Sequence, residues 1–216
     1  MTAHAPVPDY AAARQAMVDS QLRPQGVNDP AVIAAMSVVP REKFVPADQK
    51  PLAYADRSIP LGEGRALPAP AVLGLLLTAL ATLRGERALL VGAGSGYSAA
   101  VLAEMGLDVT SVESSPALVE IARKNGVKAI EGPLAEGSVK GAPYDIILVD
   151  GAIDHIPDAL IDQLGDGGRL GGAIIERGIT RLFIGRRAGG GFGFQPITDA
   201  STPVLPGFER PKTFTF

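Results

Sequence analysis

Residues 89–102 read LLVGAGSGYSAAVL, an apolar run that breaks into three alternate glycines and then resumes. Gly92, Gly94 and Gly96 carry no Cβ, so the chain can turn sharply there and let a ligand lie against bare backbone. With a strand before them and a helix after, the unpaired N–H groups and the dipole at the helix start favour an electron-rich group. Glu113 closes the next apolar stretch, VTSVE, 17 residues after Gly96. A carboxylate at that strand tip can accept hydrogen bonds from both hydroxyls of a ribose. Gly92, Ala93, Gly94, Ser95, Gly96 and Tyr97, with Glu113 and Ser114, therefore form the candidate cofactor-binding set. A dinucleotide fingerprint would need a glycine where Tyr97 stands, because helix and strand pack closely there. The competing reading is a packing turn followed by an ordinary surface glutamate.

A further acid, Asp150, ends the stretch YDIILVD and joins the candidate cofactor-binding set. At the carboxyl end of a parallel strand it would face the same crevice, orienting a nucleophile or a cofactor's amino group. An ionised strand-end acid facing water is the equal alternative. Asp150, Asp154 and His155 together invite a magnesium-dependent reading, but two acids and one histidine in a loop are a thin ligand set. No metal is expected. His4, in the N-terminal tail, is assigned no role.

The glycine loop needs a strand before it and a helix after it, and the surrounding pattern supplies both. From Arg87 onward short apolar runs alternate with helical stretches: ALLV, YSAAVLAEM, DVTSVE, PALVEIARKN, VKAIEG, YDIILVD, PDALIDQL and RLGGAII. That is the βαβ rhythm of a parallel sheet covered on both faces. Ser115 and Pro116 give a helix an N-cap and a first-turn proline, and Gly126 suits its far end. After Gly178 the period turns to two in RLFIGRR, then AGGG, then FGFQPI, which predicts a hairpin. Upstream, DYAAARQAMVDSQLRP predicts a helix that stops before Pro24, and DPAVIAAMSVV predicts another between Asp29 and Pro40. The stretch 41–70 is rich in proline and glycine without a sustained period, so it reads as loop, and at about 30 residues it is long enough to carry function.

The expected fold class is α/β: a Rossmann-like, doubly wound, mostly parallel sheet with an N-terminal helical and loop addition and a C-terminal β-hairpin. One domain is expected over residues 1–216, with 1–86 as the addition and 87–216 as the core.

Composition limits what such a chain does. A net charge of −3, with no dense basic stretch, argues against a nucleic-acid partner. Apolar residues make up 46% of the chain, enough for a substantial core. The absence of cysteine excludes disulfides, thiolate catalysis and Cys-ligated zinc. The N-terminus MTAHAPVPDY has neither a basic region nor an apolar run, so no signal peptide is expected. Residues 66–83 carry no charge, but a helix from Pro70 to before Arg84 has about 14 residues, about 21 Å against roughly 30 Å of bilayer core. A soluble, cytoplasmic protein with no membrane partner is expected.

The G-x-G-x-G spacing is similar to that of S-adenosylmethionine-dependent methyltransferases of the Rossmann-like class. QLRPQGVNDPAVIAAM, VPREKFVP, AYADRSIPLGEG, GAGSGYSAAVLAEMG, PYDIILVDGAIDHIP and QLGDGGRL, in that order and spacing, resemble the protein-L-isoaspartate O-methyltransferase family. The resemblance implies a class I methyltransferase fold, S-adenosyl-L-methionine as donor and a protein or peptide partner with a free carboxylate. That acceptor is the α-carboxyl of isoaspartyl residues in damaged protein. Such a nucleophile is already ionised at neutral pH, so alignment matters more than a strong base or a metal.

The catalytic candidates are Asp56, which the resemblance implies, and Arg65 and Asp150, which stand where the chain departs from the family. The family's Tyr-x-Asp is kept at Tyr54 and Asp56, where Asp56 lines the entrance or fixes the loop as an Asx-turn. The family's Gln-Thr-Ile-Ser-Gln-Pro-like segment holds substrate through its hydroxyls. Here it is Arg65, Ala66, Leu67, Pro68, Ala69 and Pro70. Pro68 has neither a hydroxyl nor an N–H, and each lost donor to a charged oxygen costs about 1.5–3 kcal/mol. The fork of Arg65 could grip a substrate carboxylate instead; a solvated loop arginine is the plainer alternative. Two departures predict a looser cofactor site: Leu90 replaces an acid before the glycines, and Gly132–Pro133 replaces a Gly-Asp. The family does not usually carry an acid at Asp150, which keeps two alternatives open: a methyltransferase for another acceptor, and a non-catalytic binder on the same fold.

Overall fold

The computed structural model describes residues 9–209, so His4 and the end of the C-terminal stretch lie outside the described residues. Asp9 caps the first helix, α1 (Tyr10–Met17), accepting the Ala12 N–H at 3.0 Å. The helical path does not stop before Pro24. It widens into a π turn over Val18–Leu22, tightens into a 3-10 turn over Arg23–Gln25 and ends at Gly26, whose φ is 89°. Pro24 fits because it lies in the opening turn of that last segment, where no N–H is called on. Asp29 caps α2 (Pro30–Val38), accepting from Ala31 and Val32 at 2.8 and 3.1 Å.

The segment expected as loop contains two 3-10 turns, Arg41–Lys43 and Ala47–Leu52, and a small hairpin. Its strands β1 (Ile59–Gly62) and β2 (Arg65–Leu67) run antiparallel with Ile59 opposite Leu67. The turn between them uses Gly62, Glu63 and Gly64, all at positive φ. Strands of four and three residues are too short to show an alternating pattern, which is why the sequence reads as loop. Helix α3 (Pro70–Leu80) is buried as expected but shorter, ended by Ala81 in the left-handed region at φ 46°.

The main sheet has seven strands in the order β5–β4–β3–β6–β7–β8–β9. Here β3 is Arg87–Val91, β4 is Asp108–Glu113, β5 is Ala129–Glu131, β6 is Tyr144–Ile153 and β7 is Leu164–Glu176. These five pair in parallel. β8 (Ile179–Ala188) and β9 (Gly191–Asp199) add the expected antiparallel hairpin. Helices α4 (Tyr97–Glu104), α5 (Pro116–Lys124) and α6 (Asp158–Asp162) make the crossovers. Along β3 and β6 the apolar run splits by parity. Ala88, Leu90, Ile146 and Leu148 share a core with α3, α4 and the N-terminal helices. Leu89, Val91, Ile147 and Val149 join Leu160 of α6 and Leu205 and Phe208. Both faces are covered, so the strands read as continuous apolar runs. No helix among the described residues is long and apolar enough to cross a membrane.

Two attachments reach the crevice at the carboxyl ends of the parallel strands. After β9 the chain returns beside β6, where the Ala152 N–H donates to the Pro203 carbonyl (2.7 Å) and the Leu205 N–H donates to the Ala152 carbonyl (2.8 Å). From the N-terminal side, the fully buried Arg41 donates to the carbonyls of Ala53 (2.7 Å) and Pro68 (2.5 Å). Its guanidinium lies 4.8 Å from the centre of the Tyr97 ring. One side chain thus ties the hairpin segment to the start of α4. Replacing it by Met removes two charge-assisted bonds to buried acceptors and should lower the unfolding free energy by about 3 kcal/mol or more. Urea midpoints read this directly, and an unchanged midpoint for Arg41→Met would show that the hairpin is anchored elsewhere.

Candidate active site

The glycine loop leaves β3 and is stitched to β4: the N–H groups of Gly92 and Ala93 both donate to the Val112 carbonyl, at 2.9 and 3.0 Å. Gly92, Gly94 and Gly96 have φ of 84°, 54° and 98°, a region that L side chains rarely enter. Glu113 stands at the tip of β4 as the spacing predicts, and its carboxylate turns into the loop. Oε2 accepts the Gly94 N–H at 2.7 Å. Oε1 accepts the N–H groups of Ser114 (2.8 Å) and Ser115 (3.1 Å). It also accepts Nη1 of Arg65 at 2.6 Å. Ser114 Oγ adds a longer contact to Oε1 at 3.4 Å, so four donors crowd Oε1 while Oε2 takes one and keeps a lone pair free.

Arg65 is therefore neither a solvated loop arginine nor, in this arrangement, directed at a substrate. It is 5% exposed, and its partner Glu113 is wholly buried. A Cβ built on Gly92 would lie 3.0 Å from Arg65 Nη2 and 3.2 Å from both δ carbons of Leu205. One built on Gly94 would lie 3.0 Å from Leu61 Cδ1. The hollow that the glycines create is filled by side chains of the same chain. Glu113 offers a ligand no exposed surface while Arg65 and Leu205 stay where they are.

Asp150 does not end a strand. β6 continues to Ile153 through an irregularity between Leu148 and Ala152, and Asp150 sits inside it. It is buried, and Ser98 Oγ donates to its Oδ2 at 2.6 Å. Burial pushes its carboxyl up to about 6, against the opposing pull of the Ser98 hydrogen bond and of Arg65 and Arg41. The picture of an ionised acid facing water is thus corrected by its enclosure. Ser98 went unnoticed in the sequence, although its place two residues after the last glycine was the available signal.

Tyr97 is also relocated. Its ring is wholly buried, 5.6 Å from Phe44 in an edge-on contact and under Arg41, so only its backbone belongs to the loop. The N-terminal addition supplies the partners that draw it inward. Ala93 and Ser95 are buried, and Ser114 is exposed with its main chain on Glu113. Asp56 is exposed and accepts from Gln25 Nε2 at 2.7 Å. Tyr54 is buried, donates to Glu42 and accepts from Arg14 Nε at 2.8 Å. Leu90 is wholly buried in the core. His155 Nδ1 lies 3.0 Å from the Phe208 carbonyl, and no group of three or more acids and histidines among the described residues is placed to hold a metal.

The family described as protein-L-isoaspartate(D-aspartate) O-methyltransferase (PCMT) matches residues 12–187. A protein-L-isoaspartate O-methyltransferase of Methanoculleus marisnigri is 42% identical over 164 residues, which is 73% of this chain and 74% of that one. Its counterpart in Methylorubrum extorquens is 45% identical over 171 residues, 76% and 75% of the two chains. A solved protein-L-isoaspartate O-methyltransferase superposes with a TM-score of 0.80 at 25% identity, covering 90% of this chain and 66% of that one. A Plasmodium falciparum structure described as a beta-aspartate methyltransferase in complex with S-adenosyl-L-homocysteine shares the fold, with a TM-score of 0.77 at 21% identity over 92% and 99% of the chains. The matched residues include the hairpin, the glycine loop, Glu113 and Asp150. The chain belongs to the protein-L-isoaspartate(D-aspartate) O-methyltransferase family, a family of S-adenosylmethionine-dependent methyltransferases.

Proposed function

We propose that this chain methylates the free α-carboxyl of isoaspartyl residues in proteins or peptides, with S-adenosyl-L-methionine as donor. The observation that carries the reading is the extent of the family match, which runs from residue 12 to residue 187 and takes in both the N-terminal addition and the sheet. We further take residues 1–86 and 87–216 to work as one unit, since α2, β1, β3 and α4 share a core. A chain without cysteine suits a reducing cytoplasm, where we place the reaction.

The roles follow from the chemistry. The attacking carboxylate is ionised at neutral pH, so the site must hold it still rather than deprotonate it. Glu113 and the Gly92–Gly96 backbone form the donor side. Arg65, wherever Glu113 gives it up, presents a planar fork suited to the acceptor carboxylate. Asp150, next to both arginines, is the acid whose protonation sets how much negative charge that carboxylate meets. Asp56 stands outside, at the approach. A second reading, a methyltransferase for a different carboxylate, is favoured by one observation: Ala66 and Pro68 supply no hydroxyl, and the Pro68 carbonyl is committed to Arg41.

Transfer of a tritiated methyl group to an isoaspartyl peptide, compared with its normal aspartyl twin, tests the acceptor. Label should enter the isoaspartyl peptide alone, and Ala66→Thr with Pro68→Ser should raise its rate about 10-fold or more by restoring donors to a charged oxygen. Donor binding without label in either peptide would favour the second reading. Asp150 gives a pH prediction. Its folded carboxyl lies at about 6 against 3.8 for the free group, so the folded chain holds the extra proton between those values. Its contribution to stability therefore falls as pH rises from about 4 to just above 6, by about 3 kcal/mol in all. Asp150→Asn should lack that decline in urea unfolding across the same window; parallel curves for the two proteins would contradict the assignment.

A further inference from the structure

Besides a 3.4 Å contact from the Ser114 hydroxyl, four donors hold Glu113, and three of them are main-chain N–H groups fixed by the glycine loop and the turn into α5. The fourth, Arg65 Nη1, is the end of a long side chain on a three-residue strand. That strand pairs only with β1, and the turn joining them, residues 62–64, is exposed. Arg65 can therefore leave without opening the seven-stranded sheet. Leu205, which fills the rest of the hollow above Gly92, sits next to the isolated bridge between Ala152 and Val204. Its N–H is tied to the Ala152 carbonyl, so only its side chain can swing aside, without unpairing the sheet. A buried ion pair contributes little net stability once desolvation is counted, but either charge left alone is costly, so Arg65 can leave only when other donors take its place on Glu113.

We propose that Arg65 is a displaceable occupant of the donor seat. While the donor is absent its guanidinium holds Glu113 and, with Leu205, closes the hollow; when the donor binds, one ribose hydroxyl takes the place Arg65 leaves on Oε1 and the other donates to the free lone pair of Oε2, the main-chain donors staying in place. Arg65 is thus the residue that sets donor affinity, by competing for the acid on which the donor depends. The inference rests on the donor reading above and deepens it. The exchange replaces a cation on a buried carboxylate by a neutral diol. The guanidinium it releases stays within electrostatic reach of Asp150.

Calorimetry with S-adenosylhomocysteine on the full chain tests this. Arg65→Gln, shorter and uncharged, should bind at least 10-fold more tightly than wild type. Leu205→Ala should bind several-fold more tightly, and Glu113→Gln should give no heat. Nitrogen-resolved NMR of the wild-type arginines supplies a second readout: the guanidinium resonances that Glu113 immobilises should lose that signature at saturating ligand. Should Arg65→Gln prove unstable, the Leu205→Ala titration and the NMR experiment still decide. Wild-type binding with Arg65→Gln no tighter, or with the guanidinium signature intact at saturation, overturns the competition and leaves the donor reading standing. No heat from wild type, Arg65→Gln or Leu205→Ala overturns the donor reading and this inference with it.

Discussion

The ion pair between Arg65 and Glu113 governs the crevice. At 2.6 Å, with both side chains all but removed from water, it is possible because Glu113 finds further partners. An isolated buried carboxylate would be costly enough to protonate instead. Glu113 avoids this through three backbone donors that exist because Gly94 can adopt a positive φ and because the chain turns directly into α5. The arginine in turn has to come from close by in space. The hairpin of β1 and β2 is what brings it there. Arg41 and Asp150 complete a group of two cations and two acids, whose mutual influence is visible in the upward shift of Asp150 and in what restrains it.

This constraint explains why the N-terminal addition is not an ornament on a methyltransferase sheet. Arg41 holds the carbonyls on either side of the hairpin and rests on the Tyr97 ring, which itself leans on Phe44. The glycine loop and the hairpin are therefore fixed relative to one another through one buried guanidinium. A bulky tyrosine at the start of α4 would be out of place in a dinucleotide-binding loop. Here the extra segment gives its ring an apolar edge and a cation, and the loop stays tight.

Most of the sheet was legible in the sequence because its strands are continuous apolar runs punctuated by glycine and by capped helices. The tip position of Glu113 was legible for the same reason, being counted from a loop whose backbone demands glycine. Other features were hidden by range or by brevity. The partner of Arg65 lies 48 residues away, and nothing in the local pattern of RALPAP points to it. β1 and β2 are too short to alternate. Asp150 looked like a strand end because Gly151 follows it, whereas the strand kinks and goes on. Leu205 lies in a tail with no period at all, and only its return to Ala152 gives it a place over the hollow.

The irregularity in β6 has a consequence for the acid it carries. Leu148 stands opposite Gly171 and Ala152 opposite Ala173, so β6 advances four residues where β7 advances two. The surplus is even, which is why Ala152 and Ile153 fall back onto the same sides of the sheet as Leu148 and Ile147. A register irregularity of this kind absorbs extra residues while the strand beyond it keeps its faces. The stretch that carries the acid therefore has slack that the evenly paired strands beside it lack, and that slack is what lets Asp150 meet Ser98 under the sheet's end.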